Sequence, residues 1–129
     1  KLAKEGNESG VDLILEDVVS GPIGELPSDT TAVNFGKISK IDSEISKQDI
    51  AAGIVNLVGQ TAARIATSVA TTFNAKEIVV VGRSPSFNGL KNSLEQAASI
   101  MGFSPHFPKN GEYASALGAL LVAEKNPSD

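Results

Sequence analysis

"KEIVVVGRSPSFNG", residues 76–89, decides the fold. Residues 76–82 carry a continuous apolar run, rich in β-branched valine, that stops at Gly82. A run of that kind suits a strand buried on both faces, as in a parallel sheet. A Ser/Pro turn follows at 83–87, and then Leu90, Leu94, Ala97, Ala98 and Met101 fall at helical spacing up to a stop at Gly102. "FSPHF" (103–107) reads as a second short strand, which Pro105 places toward a sheet edge. "PKNGEY" (108–113) is a turn; Tyr113, Ala116, Leu117, Leu120 and Leu121 mark a last helix, and "NPSD" (126–129) a frayed tail. Open α/β sheets bind ligands outside the carboxyl ends of their strands. Gly82 is therefore either a ligand turn or a plain connection.

Upstream, "VDLILEDVV" (11–19) reads as a strand. Residues 20–45 form a long connection rich in Gly, Pro, Ser and Thr, a length that is often functional in a compact domain. "SKQD" (46–49) has the form of a helix start: the Ser46 hydroxyl can accept an orphan N–H, and Asp49 suits the positive first turn. The helix then runs to Phe73, with Asn74 as its stop. Ile50, Ile54, Leu57, Val58, Ile65, Val69 and Phe73 give it an apolar stripe, while Gly53, Gly59 and many alanines make the remainder small. Each interior glycine costs about 1 kcal/mol relative to alanine. Close approach of another element would offset that cost, either within the domain or across a dimer contact. The order β, long loop, α, β, α, β, α predicts one α/β domain over 1–129, with a mostly parallel sheet and packed helices.

Composition narrows the function classes. The chain has 129 residues, a mass of 13.3 kDa, 41% hydrophobic residues and a net charge of −4. That suits one domain with a real core. No Lys/Arg cluster makes a basic face, so no nucleic-acid partner is expected. No cysteine is present, which removes disulfides, thiolate metal sites and Cys nucleophiles, and fits a cytoplasmic protein. His106 alone cannot build a multi-His metal site. The most apolar long stretch, 50–73, carries Asn56, Gln60 and Arg64 through its middle, which argues for a buried helix and against a membrane span.

Candidate chemistry is sparse. Neither G-x-x-x-x-G-K-[ST] nor G-x-G-x-x-G occurs. Asp29, Thr30, Thr31 and Asn34 lie within six residues; they can bind a small polar ligand or satisfy their own backbone through Asx and Ser/Thr turns. Asp12, Glu16, Asp42, Glu44 and Asp49 read as solvated surface, and Asp17, just before the polar loop, is the carboxylate closest to a candidate site. His106 reads as structural.

Four stretches in order carry a family likeness: "LPSDTTAVNFG" (26–36), "ISKQDIAAGIVNLVGQTAARIA" (45–66), "IVVVGRSPSFNGLKNSLE" (78–95) and "NGEYASALGALL" (110–121). Together they resemble the carboxyl-terminal part of type II pantothenate kinases, from about Val11 to Leu121. The resemblance implies the second lobe of an actin-like/hsp70-like (ribonuclease H-like) ATPase fold. It implies ATP-dependent phosphorylation of pantothenate, the first step of coenzyme A synthesis, by a homodimer using Mg²⁺. By the same resemblance Gly82, Arg83, Ser84 and Asn88 would line the nucleotide, and Leu26, Pro27, Asp29, Thr31, Ala32, Asn34 and Phe35 the substrate. The helix over 48–73 would lie at the dimer contact. The sequence departs from the family pattern at Ser28, usually glycine, at Thr30, usually apolar, and in "RSPSF" (83–87). The family's phosphate loop and catalytic carboxylate belong to an amino-terminal lobe with no match here, so no catalytic residue or Mg²⁺ ligand is expected in this chain. Two other readings stay open: a non-catalytic dimerising ligand-binding module, and a small nucleotide-binding α/β domain.

Overall fold

The structure is a computed structural model and describes residues 1–125 apart from Pro22, Ile41, Ser43 and Asn88; the expected frayed tail therefore lies outside the described residues. Its organising element is a helix of 26 residues, α2 (Lys47–Thr72). The Ser46 hydroxyl accepts the Asp49 N–H at 3.0 Å, as the sequence predicts. Asp49 Oδ1 in turn accepts the Asn7 N–H at 2.8 Å and so fastens the amino-terminal 3-10 turns to the helix start. At the other end Asn74 adopts φ +54, the left-handed stop expected of it.

Before α2, β1 (Leu13–Ile14) passes into a short helix α1 (Leu15–Val18). β1 pairs antiparallel with β2 (Thr31–Val33), which lies inside the stretch read as an unstructured connection. The strand expected over 11–19 is thus cut to two residues. The cause is local: Asp17 Oδ2 accepts the Ile14 N–H at 2.9 Å, which turns the chain into a helix start. After α2 come α3 (Leu90–Ile100), closed by Gly102 at φ +78, and α4 (Ala114–Lys125).

The mostly parallel sheet does not form. The described residues hold one two-stranded antiparallel sheet and one parallel bridge, Val79 to His106. Val80 N–H donates to His106 carbonyl at 2.9 Å, and His106 N–H to Ile78 carbonyl at 2.8 Å. The opposite edge of 77–81 has no hydrogen-bonded neighbour among the described residues. Val79 and Val81 are 54% and 49% exposed, so the two-sided burial expected of this run is absent. Val80 packs on the core, but no element among the described residues covers the face that carries Val79 and Val81.

The core sits where small residues let helices meet. Ala63, Leu94 and Ala98 form its centre, with Val80, Phe103 and Phe107 packed around it. Gly59 faces α3 so closely that an added Cβ would lie 2.7 Å from Ser93 Cβ and 3.1 Å from the Leu90 carbonyl. Gly53 is covered by Val11 and Phe35 in the same way. Both helix glycines are therefore accounted for inside the chain. The large side chains point outward: Ile54, Leu57, Val58, Ile65, Val69 and Phe73 are between 38% and 77% exposed. α4 buries no residue, and Leu117, Leu120, Leu121 and Val122 all stand exposed.

Candidate functional site

The segment Leu26–Gly36 is clamped by its own backbone. Thr30 N–H donates to Pro27 carbonyl at 3.1 Å, forming a turn around Asp29. Leu15 N–H then donates to Thr30 carbonyl at 2.9 Å, and Glu16 N–H to Ser28 carbonyl at 3.0 Å. These bonds hold the turn against β1 and α1, and β2 continues it into the sheet.

Beneath it lies a buried polar network centred on Asp12, which is 0% exposed. Asp12 Oδ1 accepts the Phe35 N–H at 2.7 Å, and Oδ2 accepts Asn56 Nδ2 at 2.9 Å and Asn34 Nδ2 at 3.4 Å. Asn56 Nδ2 also donates to Thr31 Oγ at 3.1 Å. Gln60, one turn further along α2, donates from Nε2 to Asn56 Oδ1 at 3.3 Å and accepts from Asn34 Nδ2 at 3.3 Å. The spacing of Asn56 and Gln60 puts both amides on one face of the helix. A buried carboxylate is costly unless its lone pairs are used, and here three donors use them. Among the described residues no buried side-chain polar atom lacks a partner.

Over this network opens a cavity of about 750 Å³. Pro27, Asp29, Thr30 and Thr31 form one wall, Asn56, Gln60 and Arg64 of α2 the floor, and Ala97, Ile100 and Met101 the α3 side. The mixture of apolar surface with a few convergent polar groups is what small-molecule sites carry, and the volume falls within their usual range of about 300–1,000 Å³.

The structure brings Pro27, Asp29 and Thr31 to this cavity but not the other expected substrate residues. Leu26 closes a turn onto Ile23 carbonyl at 3.1 Å. Ala32 is exposed outside the cavity. Asn34 is taken up by Asp12 and Gln60, and Phe35, at φ +58, covers Gly53. None of Gly82, Arg83 and Ser84 lines the cavity, and Asn88 lies outside the described residues. Gly82 takes φ +93, donates its N–H to Gly111 carbonyl at 2.9 Å, and would leave an added Cβ in open space. Arg83 and Ser84 enter a 3-10 turn, Ser84–Ser86.

Asp12, Asn56, Gln60 and Arg64 escape the reading of candidate ligand residues. The signal for the last three is their i, i+4, i+8 spacing in an otherwise apolar helix. Asp17 is structural: Lys37 Nζ lies 2.7 Å from its carboxylate. That hydrogen bond, with the Ile14 N–H, holds Asp17 below the usual carboxylate range. Asp49 is held low by the Asn7 N–H and then by Ser46.

A family model described as Fumble matches residues 1–122. The chain belongs to the Fumble family. Among its relatives, the type II pantothenate kinase of Bacillus cereus is 30% identical over 128 residues, covering 98% of this chain and 46% of the relative. That of Staphylococcus epidermidis is 29% identical over 123 residues, 94% of this chain and 46% of the relative. That of Staphylococcus aureus (strain MRSA252) is 27% identical over 125 residues, 95% and 47%. The family likeness drawn from the sequence motifs is borne out. This Fumble-family chain spans about half the length of the curated relatives it matches.

Proposed function

We propose that the chain is the carboxyl-terminal, substrate-side part of a pantothenate kinase, which phosphorylates pantothenate with ATP to 4'-phosphopantothenate in coenzyme A synthesis. The observation that carries this reading is the cavity walled by Asp29 and Thr31 and floored by α2, in a chain whose relatives are named type II pantothenate kinases. Pantothenate offers hydroxyls, an amide and a gem-dimethyl carbon. Asp29, Thr31 and Gln60 supply polar partners, while Ile14, Pro27, Ile100 and Met101 supply apolar ones. The clamped Pro27–Thr30 turn and the Asp12 network keep those partners in place, and phosphoryl transfer rests mainly on such positioning.

ATP would approach the turn at Gly82, whose open space admits a flat base. Mg²⁺ would be held, together with the phosphates, in the companion half: among the described residues there is no group of three or more His, Cys, Asp or Glu that could hold a metal ion, and no step is assigned through the ion here. The γ-phosphate cradle and the catalytic base would come from a companion amino-terminal half. The exposed stripe of α2 would meet a second copy, giving a homodimer. No helix of the described residues is long and apolar enough to cross a membrane.

The test is a coupled ADP-release assay. A chimera joining the amino-terminal half of the Bacillus cereus relative to these residues turns over pantothenate, and the 129 residues alone do not. Equal turnover by the short chain, or an inactive folded chimera, overturns the half-enzyme reading.

A further inference from the structure

The cavity lining contains four ionisable side chains: Glu8, Glu16, Asp29 and Arg64. Arg64 is the lone cation among them. The ion pairs among the described residues are Lys37 with Asp17 and Lys91 with Glu95. Arg64 joins neither, and its guanidinium makes no hydrogen bond to a described residue, whereas its neighbours Asn56 and Gln60 on the same helix face both bond within the Asp12 network. The α2 floor thus presents two fixed amides and then an uncommitted fork of donors, one turn apart each. Ala97 and Ile100 of α3, with Met101 just after it, add apolar lining to the same cavity.

We propose that Arg64 selects an acidic ligand in this cavity by pairing with the ligand's carboxylate; this rests on the pantothenate reading given above. A guanidinium fork matches a carboxylate with two parallel hydrogen bonds. The three lining carboxylates reinforce the choice of end. They repel an anion, which leaves Arg64 as its partner, and as acceptors they suit the ligand's hydroxyls. The ligand is thereby oriented as well as held, with its acid at α2 and α3 and its hydroxyls at the Asp29 turn.

The experiment is a calorimetric or NMR titration of this chain with pantothenate and with its neutral alcohol analogue, in which CH₂OH replaces the carboxylate. The parent chain binds pantothenate about tenfold more tightly than the alcohol, as one charge-assisted pair allows. Arg64→Gln binds both at the alcohol's affinity, and Arg64→Lys restores part of the preference. Arg64 is exposed, and circular dichroism checks that both variants keep the parent's helix content. A parent chain without preference, or a preference that survives Arg64→Gln, overturns the role of Arg64 and leaves the cavity reading standing. A parent chain that binds neither compound overturns both.

Discussion

Asp12 is the residue on which the site turns. Its carboxylate accepts from one backbone N–H and two side-chain amides while fully buried. Asp12→Asn would set a new NH₂ against donors already aimed at it. The expected loss is about 2 kcal/mol, the usual penalty for stranded buried polar groups. Urea denaturation measures it, and an unchanged midpoint would show that Asp12 is not the network's acceptor. Nothing local marks Asp12 in the sequence, because its partners lie 22, 23 and 44 residues away. Asp17 and Asp49 act at the surface and give the chain an acid limit. Both are lowered in the folded chain, so the unfolded chain takes up their protons first. Their contribution is complete above the ordinary carboxylate range and is lost as pH falls from there toward their lowered values. Circular dichroism between about pH 5 and pH 2 should follow that loss, and Asp17→Asn with Asp49→Asn should flatten it.

At the scale of elements, α2 separates two jobs by side-chain size. Its small residues face α3 and the amino-terminal turns, and its large ones face outward. Gly59→Ala should cost about 1–3 kcal/mol, since α3 has to shift to admit the methyl group. It should leave association unchanged, because Gly59 is not on the outer face. Leu57→Glu with Ile65→Glu should do the reverse, keeping the parent's helix content and abolishing the proposed dimer. Sedimentation velocity separates the two classes, and a monomeric parent at high micromolar concentration would end the dimer reading. The ends of α2 and the stop of α3 were legible because a cap is a contact over three or four residues: Ser46 with Asp49, Asn74, Gly102. Which face of α2 is buried was not legible. Apolar periodicity marks a face that avoids water but does not name its cover, and small residues here made the closer contact.

At the scale of the molecule, two apolar surfaces are left uncovered. The edge of 77–81 and the apolar surface of α4 expose Val79, Val81, Leu117, Leu120, Leu121 and Val122. Exposed apolar surface of this extent marks an interaction face. Hydrogen exchange offers a direct reading of the edge. The amides of Val80 and Gly82, bonded to His106 and Gly111, should exchange slowly. Those of Val79 and Val81, without a partner among the described residues, should exchange fast, and should slow in the chimera with an amino-terminal half. Equal protection of all four in the isolated chain would refute the open edge. The run 76–82 read as a central strand because its residues suit one. Its burial depends on neighbours that these residues do not supply.

The long reach of the Asp12 network also sets an order of events during synthesis. Its acceptor is made first, and Asn56 and Gln60 follow more than forty residues later. Non-local contacts form only after the loop between them has closed. The cavity floor therefore cannot exist on a growing chain until α2 has left the ribosome. A nascent chain halted before Asn56 has no site for a ligand to rescue, whereas one halted beyond α3 can be stabilised by whatever the cavity holds.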